Sequence, residues 1–189
     1  MNSIEVFVAD EQHEHEIDCD RWLRLAVQVL GAEGVGRTEE SVEMSLLFVD
    51  EPSIAALNEQ FMGKTGPTDV LSFPIDEEAS PHHIPPLAIS APIGAPLPLP
   101  SDDDDDDDDL PLLLGDVVVC PSYAATYAEH HQGSHHDGTL DDEIALLIVH
   151  GILHLLGMNH DVDAEAEAME AREQELLDLF HRCQSEARP

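Results

Sequence analysis

Residues 142–160 read DEIALLIVHGILHLLGMNH, and this stretch decides the fold. From Ile144 to Leu156 only His150, Gly151 and His154 interrupt a run of Ala, Val, Ile and Leu. A helix that is apolar on nearly every side belongs in the centre of a core, not on a surface. The pattern predicts such a helix over Asp141 to Leu156. His150 and His154 stand four residues apart, which puts both imidazoles on one helix face, one turn apart. Gly157 then permits a helix stop and a turn with positive φ. That turn can swing His160 back to the same point. Three neutral imidazoles with a fourth position left open make the arrangement of catalytic zinc. Buried polar rings cost free energy unless they find partners. Three histidines at this spacing, among Val149, Ile152, Leu153, Leu155 and Leu156, therefore point to one metal ion, with zinc as the first choice. The pairs His82-His83, His130-His131 and His135-His136 sit in polar or loop contexts and are not read as ligand sets.

Working outward, Ile4 to Val8 alternates as a strand. Asp18 to Leu30 carries a helical stripe of Trp22, Leu23, Leu25, Ala26, Val29 and Leu30, closed by Gly31, Gly34 and Gly36. Val42 to Val49 reads as a second strand, and Ser53 to Met62 as a short helix with Ser53 as its cap. Val70 to Phe73 is a third strand, ended by Pro74. Val117 to Cys120 is a fourth, opened by Gly115-Asp116. Pro121 to His131 reads as one helix and Gly133 to Gly138 as a His-rich break. Asp163 to Cys183 reads as a last amphipathic helix, with Ala166, Met169, Leu176, Leu177 and Phe180 on its inner stripe. Strands come early and helices late, so the fold class is α+β, a small four-stranded sheet covered by helices.

The chain of 189 residues suits a single domain, 1–189, with one composition shift inside it. From Ile75 to Leu113 it is rich in proline, has no lysine or arginine, and holds eight consecutive aspartates, Asp102 to Asp109. Mutual repulsion and proline predict a disordered insertion over 75–113. The whole chain has 41 acidic residues against 7 basic ones, a formal charge of −34. Without the insertion's 11 acids the remainder still carries −23. Such a surface repels phosphate backbones at long range and favours basic partners or cations. The three cysteines, Cys19, Cys120 and Cys183, form neither a disulfide framework nor a C-x-x-C motif, which fits reduced thiols. No apolar run reaches the roughly 18 residues of a membrane span. No signal peptide is visible at the start, so a cytoplasmic protein is expected.

The spacing H-x-x-x-H-x-x-G-x-x-H matches that of metzincin zinc proteases, which carry a glutamate general base directly after the first histidine. Here that place is Gly151, and the peptidase reading loses its proton acceptor. What remains is a zinc-bound water acting as hydroxide near neutral pH, which suits phosphodiester hydrolysis.

Three blocks resemble the YbeY-type bacterial endoribonucleases, or rRNA maturation factors. They are Leu57-Asn58 with Gly66-Pro67-Thr68-Asp69-Val70-Leu71-Ser72-Phe73-Pro74; Leu114-Gly115-Asp116-Val117-Val118-Val119-Cys120; and the segment from His150 to His160, with Met169 beyond. The resemblance implies a small mixed sheet packed with helices and metal-dependent cleavage of single-stranded RNA. It also implies a role in maturing small-subunit ribosomal RNA and in ribosome quality control. It assigns zinc to His150, His154 and His160. It places Asp116 on the acidic position of the family's Leu-Gly-Asp strand, and Thr68, Asp69 and Ser72 in a strand beside the cleft. Many members have an arginine before the Gly-Lys pair, thought to contact RNA phosphate. This chain has Met62 before Gly63-Lys64, so Lys64 is the nearest cation left for a phosphate. The usual tyrosine and aspartate near the third histidine are replaced by Met158 and Asn159.

No general base is named by the residues alone. Asp69 and Asp116 are the candidates, against a reading in which each bonds only to nearby backbone. The expected partners are ribosomal RNA and the small ribosomal subunit or a basic ribosomal protein. The alternative function is a ribosome-assembly factor with a structural metal and negligible nuclease activity, its acidic surface docking a basic ribosomal protein.

Overall fold

A computed structural model of the chain describes residues 4–35, 41–75, 111–131, 137–158 and 162–186. Four strands form one sheet: β1 (Ile4–Asp10), β2 (Val42–Phe48), β3 (Val70–Pro74) and β4 (Leu112–Val119). Their order across the sheet is β1-β2-β4-β3. β2 is parallel to both neighbours, while β3 runs antiparallel to β4 along an edge. The sheet is therefore mixed, and Pro74 lies on an edge strand, where a missing N–H is tolerated.

Alternation along the strands sorts the side chains onto two faces. Leu46, Phe48, Val117 and Val119 share a core with helices α1 (Cys19–Ala32), α4 (Leu140–Leu155) and α5 (Asp163–Glu186). Leu47, Val49, Leu71, Val118 and Cys120 pack on the other face with Ile54 and Leu57 of α2 (Glu51–Met62). Phe61 of α2 meets Phe73 edge-on, with ring centroids 5.1 Å apart. In α4, Ile144, Ile148, Val149, Ile152 and Leu153 are buried. Each such aliphatic side chain contributes roughly 1.5–3 kcal/mol on burial, so α4 is held at the centre of the molecule as its composition predicts.

Several boundaries differ from those expected. β4 begins at Leu112, five residues before Val117, and Leu112 and Leu113 pair with Val42 and Glu43. Ile75 donates its N–H to the Leu114 carbonyl at 3.1 Å. The ends of the expected insertion, Ile75 and Pro111 to Leu113, thus belong to the folded framework; residues 76–110 lie outside the described residues. Ser53 is not the cap of α2. Asp50 is, accepting the Ser53 N–H at 3.0 Å, with Pro52 in the first turn. Gly31 lies within α1, and the left-handed residue is Gly34 at φ 82°. The expected helix from Pro121 splits into α3 (Pro121–Ala125) and a 3₁₀ turn over Ala128–His131. Thr126 Oγ1 donates to the Tyr123 carbonyl at 2.7 Å at the break, the local competition that disfavours such residues inside helices.

Candidate metal centre

The site is built on the last two turns of α4. The helix starts at Thr139, whose hydroxyl accepts the Asp142 N–H at 3.1 Å and donates to Asp142 Oδ2 at 2.9 Å. It ends in a Schellman turn. Gly157 takes φ 86°, its N–H bonds the His154 carbonyl at 3.0 Å, and the Met158 N–H bonds the Leu153 carbonyl at 3.0 Å. Those two bonds satisfy carbonyls that the helix leaves open. The positive φ expected at Gly157 is present.

The turn also aims the Met158 carbonyl back at the helix, 2.8 Å from His154 Nδ1. A carbonyl only accepts, so His154 Nδ1 carries its proton and donates. His150 Nδ1 lies 2.7 Å from Oε1 of Glu173, a buried carboxylate on α5. With both Nδ1 atoms engaged as donors, the uncharged form of each ring presents its Nε2 lone pair. The two Nε2 atoms lie 3.1 Å apart, with the rings nearly perpendicular at 85°. In that form the two rings could share one cation between their Nε2 atoms.

This donor set fits zinc. Tetrahedral zinc with nitrogens at about 2.0–2.1 Å holds two ligand atoms about 3.3 Å apart, close to the observed 3.1 Å. A hydrogen-bonded Nδ1 behind each ligating Nε2 is the usual outer arrangement of metal-bound histidine. His160, expected as the third ligand, lies outside the described residues, as does Asn159. Among the described residues no set of three or more His, Cys, Asp or Glu side chains is assembled to hold a metal.

Gly151, between the two histidines, faces the sheet. A Cβ there would lie 2.7 Å from Val117 Cγ1 and 3.1 Å from Ser72 Oγ. The position that holds a base in metzincins is here a point of helix–sheet contact. Ser72 and Val117 are register partners on this face.

The two candidate carboxylates are placed differently. Asp116 precedes Val117 on β4, so the pleat turns it to the face opposite α4. There it lines a cavity of about 460 Å³ with Glu5, Phe7, Glu43 and Ser45. The geometry does not bring Asp116 to the imidazoles, which corrects its candidacy as general base. Asp69 Oδ1 accepts from Thr68 Oγ1 at 3.0 Å and from the Val70 N–H at 2.8 Å, and its carbonyl accepts the Cys120 N–H at 2.8 Å. Asp69 thereby fastens the start of β3, the backbone role weighed against catalysis. Lys64 is exposed just past the left-handed Gly63 that ends α2. Its N–H bonds the Asn58 carbonyl at 3.3 Å, and the buried Asn58 amide donates to the Gly66 carbonyl at 2.9 Å. Asn58 thus holds the loop that carries Lys64.

The residue that sequence reasoning missed is Glu173. It follows Met169 by four and precedes Leu177 by four, so it sits on the inner stripe of α5. A lone carboxylate on that stripe was the available signal. The Met158 carbonyl is a backbone atom and left no signal beyond Gly157.

Fold and site together define a mixed-sheet α+β protein with two part-buried histidines that meet on a buried helix. The chain belongs to the YbeY endoribonuclease family: the family model described as Endoribonuclease YbeY matches residues 7–181. The Endoribonuclease YbeY of Thermobifida fusca (strain YX) is 39% identical over 169 residues, covering 89% of this chain and 90% of the relative. That of Acidothermus cellulolyticus is 42% identical over 168 residues, covering 87% and 86%. The solution structure of TM1509 from Thermotoga maritima is similar in fold, with a TM-score of 0.54 at 20% identity over 96% of this chain and 93% of that one. No helix among the described residues is long and apolar enough to cross a membrane.

Proposed function

We propose that this chain is a zinc-dependent endoribonuclease that cuts single-stranded RNA in the maturation of small-subunit ribosomal RNA and in ribosome quality control, acting in the cytoplasm. Membership of a family whose relatives are named endoribonucleases supports the reaction class. The observation that carries the metal is the His150–His154 pair, with each Nδ1 anchored and the Nε2 atoms 3.1 Å apart. His150 and His154, with His160 as third ligand, would hold the ion. Bound zinc supplies Lewis acidity and offsets charge building on phosphoryl oxygens. Lys64 offers one point charge for a phosphate, without the bidentate grip of an arginine. Glu173 and the Met158 carbonyl hold the two rings in place.

The test is cleavage of single-stranded RNA by the purified protein with stoichiometric zinc, against a His154→Ala control. Wild type should cut and the variant should fall to background. Equal traces of product from both would reject the nuclease reading.

A second reading, an assembly factor with a structural metal, is favoured by charge. The chain carries −34, and two of its few cations are engaged: Arg21 pairs with Asp141, and Arg172 with Glu33 and Glu175. A basic ribosomal protein, rather than RNA alone, suits that surface. Such a partner would also bring an acidic nuclease to its RNA.

A further inference from the structure

We propose that Glu173 is a positioning residue that locks His150 in the tautomer with its proton on Nδ1, so that Nε2 is always presented to the metal. The inference rests on the metal-centre reading above and deepens it.

A free imidazole distributes its proton between two nitrogens, and only the unprotonated one binds a metal. The His150 ring is part-buried, and its Nδ1 meets a carboxylate from another helix. Glu173 Oε1, 2.7 Å from Nδ1, accepts a hydrogen bond and has no proton to give when ionised, so it selects the Nδ1–H form. The carboxylate is itself only 9% exposed. Its burial on an otherwise apolar stripe, with Met169, Leu176, Leu177 and Phe180, costs free energy that hydrogen bonding must offset. The ring nitrogen of His150 is the partner it meets. Helix α5 thereby gains a function at the site, although it supplies no ligand from its described residues. The same task at His154 falls to the Met158 carbonyl, 2.8 Å from Nδ1. One ring is held by a side chain from another helix and the other by the backbone of its own helix end, so only the first anchor can be removed by replacing the anchoring side chain itself.

The experiment uses the full chain. Nitrogen-15 NMR of the metal-free protein, at about pH 8 and above the ordinary imidazole range, reads the tautomer of His150 directly. Cobalt(II) titration followed by visible absorption reads affinity. Wild type should show His150 protonated on Nδ1, and Glu173→Gln, which keeps an acceptor oxygen, should retain that form. Glu173→Met, of similar length but without an acceptor, should shift the proton toward Nε2 and weaken cobalt binding about 10- to 100-fold. A His150 found protonated on Nε2 in wild type overturns the proposal, even if the methionine variant does not fold. Equal cobalt affinity in wild type and a folded Glu173→Met also overturns it while leaving the metal centre intact. A wild type that takes up no cobalt removes the metal centre, and the proposal with it.

Discussion

Gly151 approaches Val117 so closely that a methyl group on its Cα would lie 2.7 Å from Val117 Cγ1 and 3.1 Å from Cγ2. Real side chains do not approach so near, so the Val117 side chain, or α4 or β4 around it, must shift to admit one. Because His150 is the adjacent residue, a shift of α4 would move the site as well. Gly151→Ala is therefore expected to destabilise the protein by about 1–3 kcal/mol, the usual cost of overpacking a close-packed interior. A second change, Val117→Ala, removes the opposing methyls and should recover part of that loss in the double variant, as urea unfolding of all three will measure. Additive losses would show that the contact is not the cause. By the same geometry, Gly151→Glu will not create a peptidase, since no room exists for the glutamate side chain where a metzincin carries its base.

Gly157 makes the opposite case. Nothing lies within 4 Å of a Cβ built there, but the backbone is at φ 86°. The cost of Gly157→Ala is then conformational, about 1–2 kcal/mol for one left-handed residue. Gly157→Asn should cost less, since asparagine tolerates that region better. Relaxation of the turn would also withdraw the Met158 carbonyl from His154 Nδ1. Metal affinity should fall with stability in the alanine variant, measured by cobalt titration and thermal unfolding. Unchanged affinity in a destabilised Gly157→Ala would show that the carbonyl has no part in holding the ring.

Removal of residues 81–110 tests the acidic segment. β3 and β4 are antiparallel neighbours with Pro74 opposite Gly115, and the N–H of Ile75 bonds the Leu114 carbonyl. A short connection through residues 76–80 is therefore compatible with the hairpin they form. The deletion takes the formal charge from −34 to −26 by removing eight aspartates. We expect the shortened chain to fold and to bind single-stranded RNA more tightly at low salt, with the gain fading as salt screens it. Loss of folding, read by circular dichroism, would show the segment to be structural.

What was legible in the sequence and what was not follow from where the signals reside. Helix α4 was legible because its residues are apolar on every side, a pattern local to the helix. The convergence of His150 and His154 was legible because helical periodicity alone puts them on one face. β4 was read too short because Leu112 and Leu113 follow an acidic run and are 42% and 45% exposed. Their strand character comes from Val42 and Glu43, far away in sequence. Asp116 drew attention through its family position, yet its face is set by the sheet pleat, which only its register with Phe73 and Ser45 reveals. Ser53 resembles a cap by residue type alone, whereas Asp50 followed by Pro52 marks the helix start three residues upstream. Glu173 was hidden in an acidic helix, where one more carboxylate looks like solvent-facing charge.

Asp50 supplies a pH-dependent prediction. Hydrogen bonds from Ser53 hold its carboxyl below the ordinary value of 3.8. Since the folded value is the depressed one, the ionised cap contributes stability above the unfolded value, and that contribution is lost as pH falls through the folded value. Asn caps nearly as well as Asp but does not ionise and lacks the favourable interaction with the helix dipole. Wild type should accordingly be more stable than Asp50→Asn at about pH 6, and the difference should close below the ordinary carboxylate range. Comparing the two proteins at each pH cancels the titration of the many other acids, which both share. Thermal midpoints across that range measure it, and a difference that stays constant into acid would show that the charge on Asp50 does not stabilise α2.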